Sequence, residues 1–204
     1  MVVATVPARI TGDATMSALF VCALPEESAG LEGYVPVLHT GAGKVQTAVT
    51  VAHHLAEHGS EVDLVVNSGT AGALGSFRLG DVVEVGEVFQ HDFDHVAISA
   101  LARRPLPGGP IAVASPEGAS ARLATGDRFV TDAVERSRLA QVADLVDMEG
   151  YAVAATCERF GVPLWIVKCV SDAADSDAAL SWRDTVELAS RRLAGWADSR
   201  GLLG

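Results

Sequence analysis

Apolar residues in this chain fall in short unbroken runs, separated by stretches in which they recur at helical spacing. "SALFVCAL" (17–24) is apolar almost throughout at strand length, the pattern of a strand buried on both faces. "VPVLHTGAG" predicts a second short strand ending in glycines. Over 43–58, Val45, Ala48, Val49, Ala52, Leu55 and Ala56 share one helical face, and Gly59 supplies a C-terminal stop. "VDLVVNSGTAGALGS" predicts a buried strand running into a glycine-rich loop, and "GDVVEVGEVFQHD" alternates as a strand does. Residues 96–118 contain "RRPLPGGP", which predicts a surface loop flanking "IAVA". "ARLATGDRFV" reads as strand then loop, "VTDAVERSRLAQVA" as a helix, and "ADLVDMEG" as a short strand. "EGYAVAATCERFG" predicts a helix closed by Gly161, with Pro163 just beyond. "PLWIVKCV" is the last core strand, and "SWRDTVELASRRLAGWADSRG" an amphipathic C-terminal helix.

Strands alternating with helices imply a mostly parallel sheet covered on both faces. In such sheets the ligand crevice lies beyond the carboxyl ends of the strands. That rule brings residues 25–28, 69–75, 125–130 and 171–175 to one rim. Residues 1–15 read as a loose N-terminal extension and residues 16–204 as a single α/β domain. The opening "MVVATVPARITGDAT" lacks the basic leader and apolar block of a signal peptide, and Met16 reads as the natural start of the fold.

Composition narrows the partners. Of 204 residues, 49 % are hydrophobic and 20 % charged, the balance of a folded domain rather than a disordered one. The formal net charge of −11 repels nucleic acid and anionic membranes at long range, which favours a small molecule or another protein as partner. No apolar run approaches the roughly 20 residues that cross a bilayer. Cys22, Cys157 and Cys169 are odd in number, widely spaced and set in apolar runs, so they read as reduced, buried thiols of a cytoplasmic protein without metal spacing.

The polar residues at the rim each have an ordinary reading. Asp172, after a strand, is by default a helix cap. Glu27 is by default a solvated acid in a turn. Glu149 opens a helix, where the dipole favours an acid whatever its role. Phe129 is core by default. The glycine-rich "NSGTAGAL" either reverses the chain or cradles an anion with its backbone N–H groups. "QHDFDH" carries His91, Asp92, Asp94 and His95 but lacks a convincing further ligand set, so no metal is expected there.

Taken together, "CALPEE", "TGAGKVQTAV", "NSGTAGAL", "LGDVV", "HDFD", "TGDRF", "VDMEGYAVA" and "VSDAAD", in that order, resemble the nucleoside phosphorylase and nucleosidase superfamily, and most of all its methylthioadenosine/S-adenosylhomocysteine nucleosidases. The segments span nearly the whole chain from residue 17 on. The resemblance implies a three-layer α/β/α fold with a twisted mixed central sheet, a homodimer, no cofactor and no metal. It implies that Asp172 is the general acid near N7 of a purine, which needs a carboxyl raised by burial above the usual value of about 3.9. Glu27 would orient and deprotonate the attacking water, with Thr70 facing the ribose or that water. Glu149 would accept hydrogen bonds from the ribose hydroxyls, Met148 would pack under the sugar, Phe129 would stack on the base, and backbone groups of Val130 would read the purine edge. Ser171 and Asp175 would support Asp172, and Asp127 the base loop.

Phosphorylases of this superfamily carry an arginine in the loop that holds Glu27 here, and another two residues before the first glycine of "NSGTAGAL", because a phosphate dianion needs guanidinium donors. This chain has two acids in the first place and Asn67 in the second, so water is the implied nucleophile. Two segments depart from the family. The stretch between Glu27 and "TGAGKV" lacks a strand pair, and the stretch before "TGDRF" is trimmed; both shape the 5′ pocket and the subunit contact. The expected activity is hydrolysis of an adenine nucleoside such as methylthioadenosine or S-adenosylhomocysteine. A hydrolase of another nucleoside (futalosine-type), a phosphate-dependent phosphorylase and a non-catalytic nucleoside-binding protein remain as alternatives.

Overall fold

In the computed structural model, residues 16–176 and 178–204 are described; the expected N-terminal extension, 1–15, lies outside them. The elements in chain order are β1 (Ala18–Cys22), α1 (Pro25–Ser28), β2 (Val37–His39), α2 (Lys44–His58), β3 (Leu64–Ala73), β4 (Val82–Gln90), α3 (His95–Ala102), β5 (Ile111–Ala112), β6 (Ala121–Thr125), α4 (Ala133–Leu139), β7 (Leu145–Asp147), α5 (Gly150–Phe160), β8 (Leu164–Asp172) and α6 (Ala178–Ser199). All eight strands join one sheet.

The pairing is mixed. β1–β2, β1–β3, β3–β8, β4–β6 and β6–β7 are parallel, whereas β3–β7, β4–β5 and β4–β8 are antiparallel. Because β8 lies between β3 and β4, and β7 returns to the far end of β3, the strands β3, β8, β4, β6 and β7 close into a ring. A closed ring leaves no open strand edge at its centre.

Helices cover the sheet from both sides. Ala189, Leu193 and Ala197, spaced by four along α6, are buried against Phe20, Leu64, Val66 and Val167. On the opposite face Val51 and Leu55 of α2 and Val153 and Cys157 of α5 pack on Leu19, Val21 and Val65. Gly161, left-handed at φ 70°, ends α5 as expected.

Three expectations are corrected. The "NSGTAGAL" stretch is not a loop: residues through Ala73 remain strand, since β3 has partners on both edges. β8 continues to Asp172, two residues past the apolar run. Within the segment read as surface loop, His95–Ala102 forms α3, started by Asp94, whose Oδ1 accepts from Ala97 N at 2.9 Å. No residue of α3 is buried. Among the described residues no helix is long and apolar enough to cross a membrane.

Candidate active site

Beyond the ends of β3, β6, β7 and β8 lies a cavity of about 390 Å³. All seven residues expected at the site, Glu27, Thr70, Phe129, Val130, Met148, Glu149 and Asp172, line it. They arrive from five separate segments, so their meeting is a product of the topology rather than of proximity in the chain.

Glu27 stands in the short helix α1, which Pro25 opens. Its carboxylate is 5 % exposed and turns back against β3. Oε1 accepts from Thr70 N at 2.8 Å and from Thr70 Oγ1 at 2.6 Å; Oε2 accepts from Leu24 N at 3.2 Å. A solvated acidic turn is excluded. Gly69 eases this approach, because a Cβ there would lie 3.2 Å from Glu27 Oε1, a tight contact.

Asp172, at the last position of β8, is 4 % exposed. Its Oδ1 accepts from Ala174 N at 2.8 Å and its Oδ2 from Ser171 Oγ at 2.7 Å. It therefore closes a tight local turn, six positions before α6 begins, and still faces the cavity. Burial raises its carboxyl above the usual range and the charge of Asp175 adds to this, while the Ser171 and Ala174 donors oppose it; the net direction is upward. Here too a glycine makes the room: a Cβ on Gly72 would stand 2.8 Å from Asp172 Oδ1.

Glu149 precedes the first residue of α5 but does not cap it. Its Oε1 instead accepts from Gly43 N, 2.8 Å away at the start of α2. Burial and then the charge of Asp147 push Glu149 up to about 7, against the pull of Lys168 and the Gly43 amide.

Beneath these acids lies an ion pair that sequence reasoning missed. Lys168 Nζ is 2.9 Å from Asp147 Oδ2, and both side chains are almost fully buried. Asp147 also accepts from Gly150 N at 2.8 Å and Thr125 Oγ1 at 2.6 Å, so the carboxylate is fully partnered. Burial lowers the pKa of Lys168, but Asp147, Glu149 and Glu27 more than offset it and hold the lysine above its ordinary value. One signal was available: Lys168 and Asp147 are charged residues inside otherwise apolar strand segments.

The wall that carries Phe129 and Val130 is held differently. Val130 is buried, whereas Phe129 is 48 % exposed. Asp127 does hold this loop: its Oδ1 accepts from Lys44 N at 2.8 Å and its own amide donates to Asp92 Oδ2 at 2.9 Å. Lys44 Nζ pairs with Asp92 and reaches Gln90 Oε1 at 3.2 Å. Trp182 and Arg183 of α6 and Arg128 also line the cavity, and none was expected. Both arginines are exposed, and Arg128 lies 3.5 Å from Glu135. Neither occupies the two places where a phosphate-binding arginine was looked for. Asn67, at one of them, is buried and donates to Val21 O at 3.1 Å.

Comparison with known proteins fits this geometry. The phosphorylase superfamily profile matches residues 31–199. The 5'-methylthioadenosine/S-adenosylhomocysteine nucleosidase of Actinobacillus succinogenes is 32 % identical over 181 residues, 78 % of this chain and 76 % of that protein. The Helicobacter pylori 5'-methylthioadenosine/S-adenosyl homocysteine nucleosidase, solved with a pyrrolopyrimidine compound, superposes with a TM-score of 0.81 at 23 % identity, over 92 % of this chain and 98 % of that one. The Neisseria meningitidis nucleosidase solved with methylthio-immucillin-A gives 0.76 at 26 % identity, over 91 % and 98 %.

Proposed function

The chain belongs to the phosphorylase superfamily, and within it we propose that it hydrolyses the N-glycosidic bond of an adenine nucleoside such as methylthioadenosine or S-adenosylhomocysteine. One observation carries this reading: Glu27 and Asp172, 145 positions apart (172 − 27), are both buried and both line one cavity of nucleoside size.

In the proposed reaction the C1′–N9 bond breaks with its electron pair passing to the base, and Asp172 delivers a proton to N7 as that happens. A raised carboxyl suits this step, because the acid must still hold its proton near neutrality. Water adds to C1′ and gives its proton to Glu27; the two acids then exchange protons with solvent to restore the starting state. Glu149, when ionised, accepts the ribose hydroxyls and stabilises positive charge developing on the sugar. Met148 packs under the ribose, Phe129 stacks on the base, and Val130 backbone groups read its edge.

The same reading pairs the chain with a second copy of itself. Val96 (65 % exposed) and Leu101 (83 % exposed) of α3, with Val45 and Val49 of α2, leave apolar side chains in solvent. In the proposed homodimer this surface is covered; light scattering should report a dimer, and Leu101→Glu should shift it toward monomer.

The deciding experiment is release of base from methylthioadenosine, S-adenosylhomocysteine, adenosine and inosine, each with and without phosphate. Free sugar in phosphate-free buffer is the expected product. Sugar 1-phosphate formed only when phosphate is added would replace hydrolysis by phosphorolysis.

A further inference from the structure

We infer that Trp182 is a positioning residue for the water-activating carboxylate, acting through Thr70, a role that rests on the hydrolytic reading above. Trp182 stands near the start of α6, half-buried, with its ring on the cavity. Its Nε1 donates to Thr70 Oγ1 at 3.0 Å, and Thr70 Oγ1 lies 2.6 Å from Glu27 Oε1.

The direction of this chain follows from chemistry. An indole N–H can only donate, and a hydroxyl has a single proton. With Trp182 occupying an acceptor position of Thr70, the Thr70 proton is directed at Glu27. Oε1 of Glu27 then takes two donors, Thr70 Oγ1 at 2.6 Å and Thr70 N at 2.8 Å. Oε2 has one longer bond, from Leu24 N at 3.2 Å. The two oxygens are thereby made unequal: Oε1 is an anchor, and Oε2 is the one with capacity left to take a proton from water. Successive hydrogen bonds of this kind also polarise one another, so the indole strengthens the grip of Thr70 on Glu27. The same stretch of α6 also meets β8, because Thr185 Oγ1, three residues along, shares its single proton between Ser181 O at 2.6 Å and Ser171 O at 2.8 Å. The first part of α6 thus ties the carboxylate that takes a proton to the strand end that gives one.

The test removes the N–H and keeps the ring. Trp182→Phe should lower kcat for base release about 3- to 10-fold, the scale of one hydrogen bond, with a smaller change in KM. In a Thr70→Val background, Trp182→Phe should have no further effect, because the intermediate link is gone; Thr70→Ala serves equally should the valine variant not fold. In a Thr70→Ser background, which retains the hydroxyl, the cost of Trp182→Phe should return. Additive losses in the Thr70→Val background, or a rise in KM with kcat untouched, would make the indole a wall of the pocket and overturn the inference. A wild-type protein that released no base from any nucleoside would overturn the reaction reading instead, and needs no variant to be recognised.

Discussion

Glu27 and Asp172 are 5 % and 4 % exposed, whereas Phe129, across the same cavity, is 48 % exposed. The first wall is built from α1 and the ends of β3 and β8, strands held on both sides within the closed ring and backed by the Lys168–Asp147 pair. The second is built from the loop after β6, pinned by the partly exposed Lys44–Asp92–Asp127 cluster. On the proposed roles, the groups that must hold a charge state and a position sit in the buried wall, and the group proposed to stack on the base sits in the exposed one. The proposal thus assigns chemistry to one wall and recognition to the other, and each can be attacked alone.

The largest effect should come from beneath the buried wall. Lys168→Met leaves Asp147 buried without its counter-charge and should destabilise the protein by about 3–5 kcal/mol, read from denaturant unfolding. A cost under about 1 kcal/mol there would mean that the buried pair does not underwrite this wall. Asp172→Asn should cost about 10²-fold or more in kcat with the fold intact by circular dichroism, since asparagine can still accept from Ala174 N. Unfolding in step with the loss would make Asp172 a structural turn residue. Phe129→Ala, on the exposed wall, should raise KM about 10-fold through lost stacking while moving kcat less; a mainly kcat effect would erase the distinction between the walls.

The smallest effect is a pH signature. Glu149 is held at about 7 in the folded chain, against roughly 4.3 when unfolded. Between those values the unfolded chain ionises this group and the folded chain does not, so the wild type loses stability as pH rises through the window, and the full penalty is present above it. Glu149→Gln lacks the penalty. Its Tm advantage should be near zero at about pH 4 and reach a few degrees by about pH 8. On the same grounds, kcat/KM of the wild type should rise through about pH 7 as Glu149 gains the charge that ribose binding needs.

Much of the buried wall was legible in the chain. Continuous apolar runs marked β1, β3 and β8, and the carboxyl-end rule placed residues 25–28 and 171–175 at one rim; the family resemblance then picked Glu27 over Glu26 and gave Asp172 a role beyond capping. What escaped notice has identifiable causes. Four glycine or alanine residues in "GTAGA" read as a turn, yet pairing on both edges keeps them extended. The prolines and glycines of "RRPLPGGP" masked the helix just before them. Trp182 has the spacing of an ordinary amphipathic helix residue, and only the fold puts its N–H on Thr70. Lys168 was hidden by its neighbours, since nothing local says that a lysine within "WIVKCV" meets an aspartate two elements away.

Gly69 and Gly72 contribute no functional group, yet each leaves space against which one buried acid of the cavity rests. A single methyl at either position would stand 3.2 Å from Glu27 Oε1 or 2.8 Å from Asp172 Oδ1. Adding one carbon at Gly72 therefore forces Asp172 to move, and adding one at Gly69 crowds Glu27 by a few tenths of an ångström, with every acid still in the chain. An inventory of reactive side chains alone would count such a protein as intact.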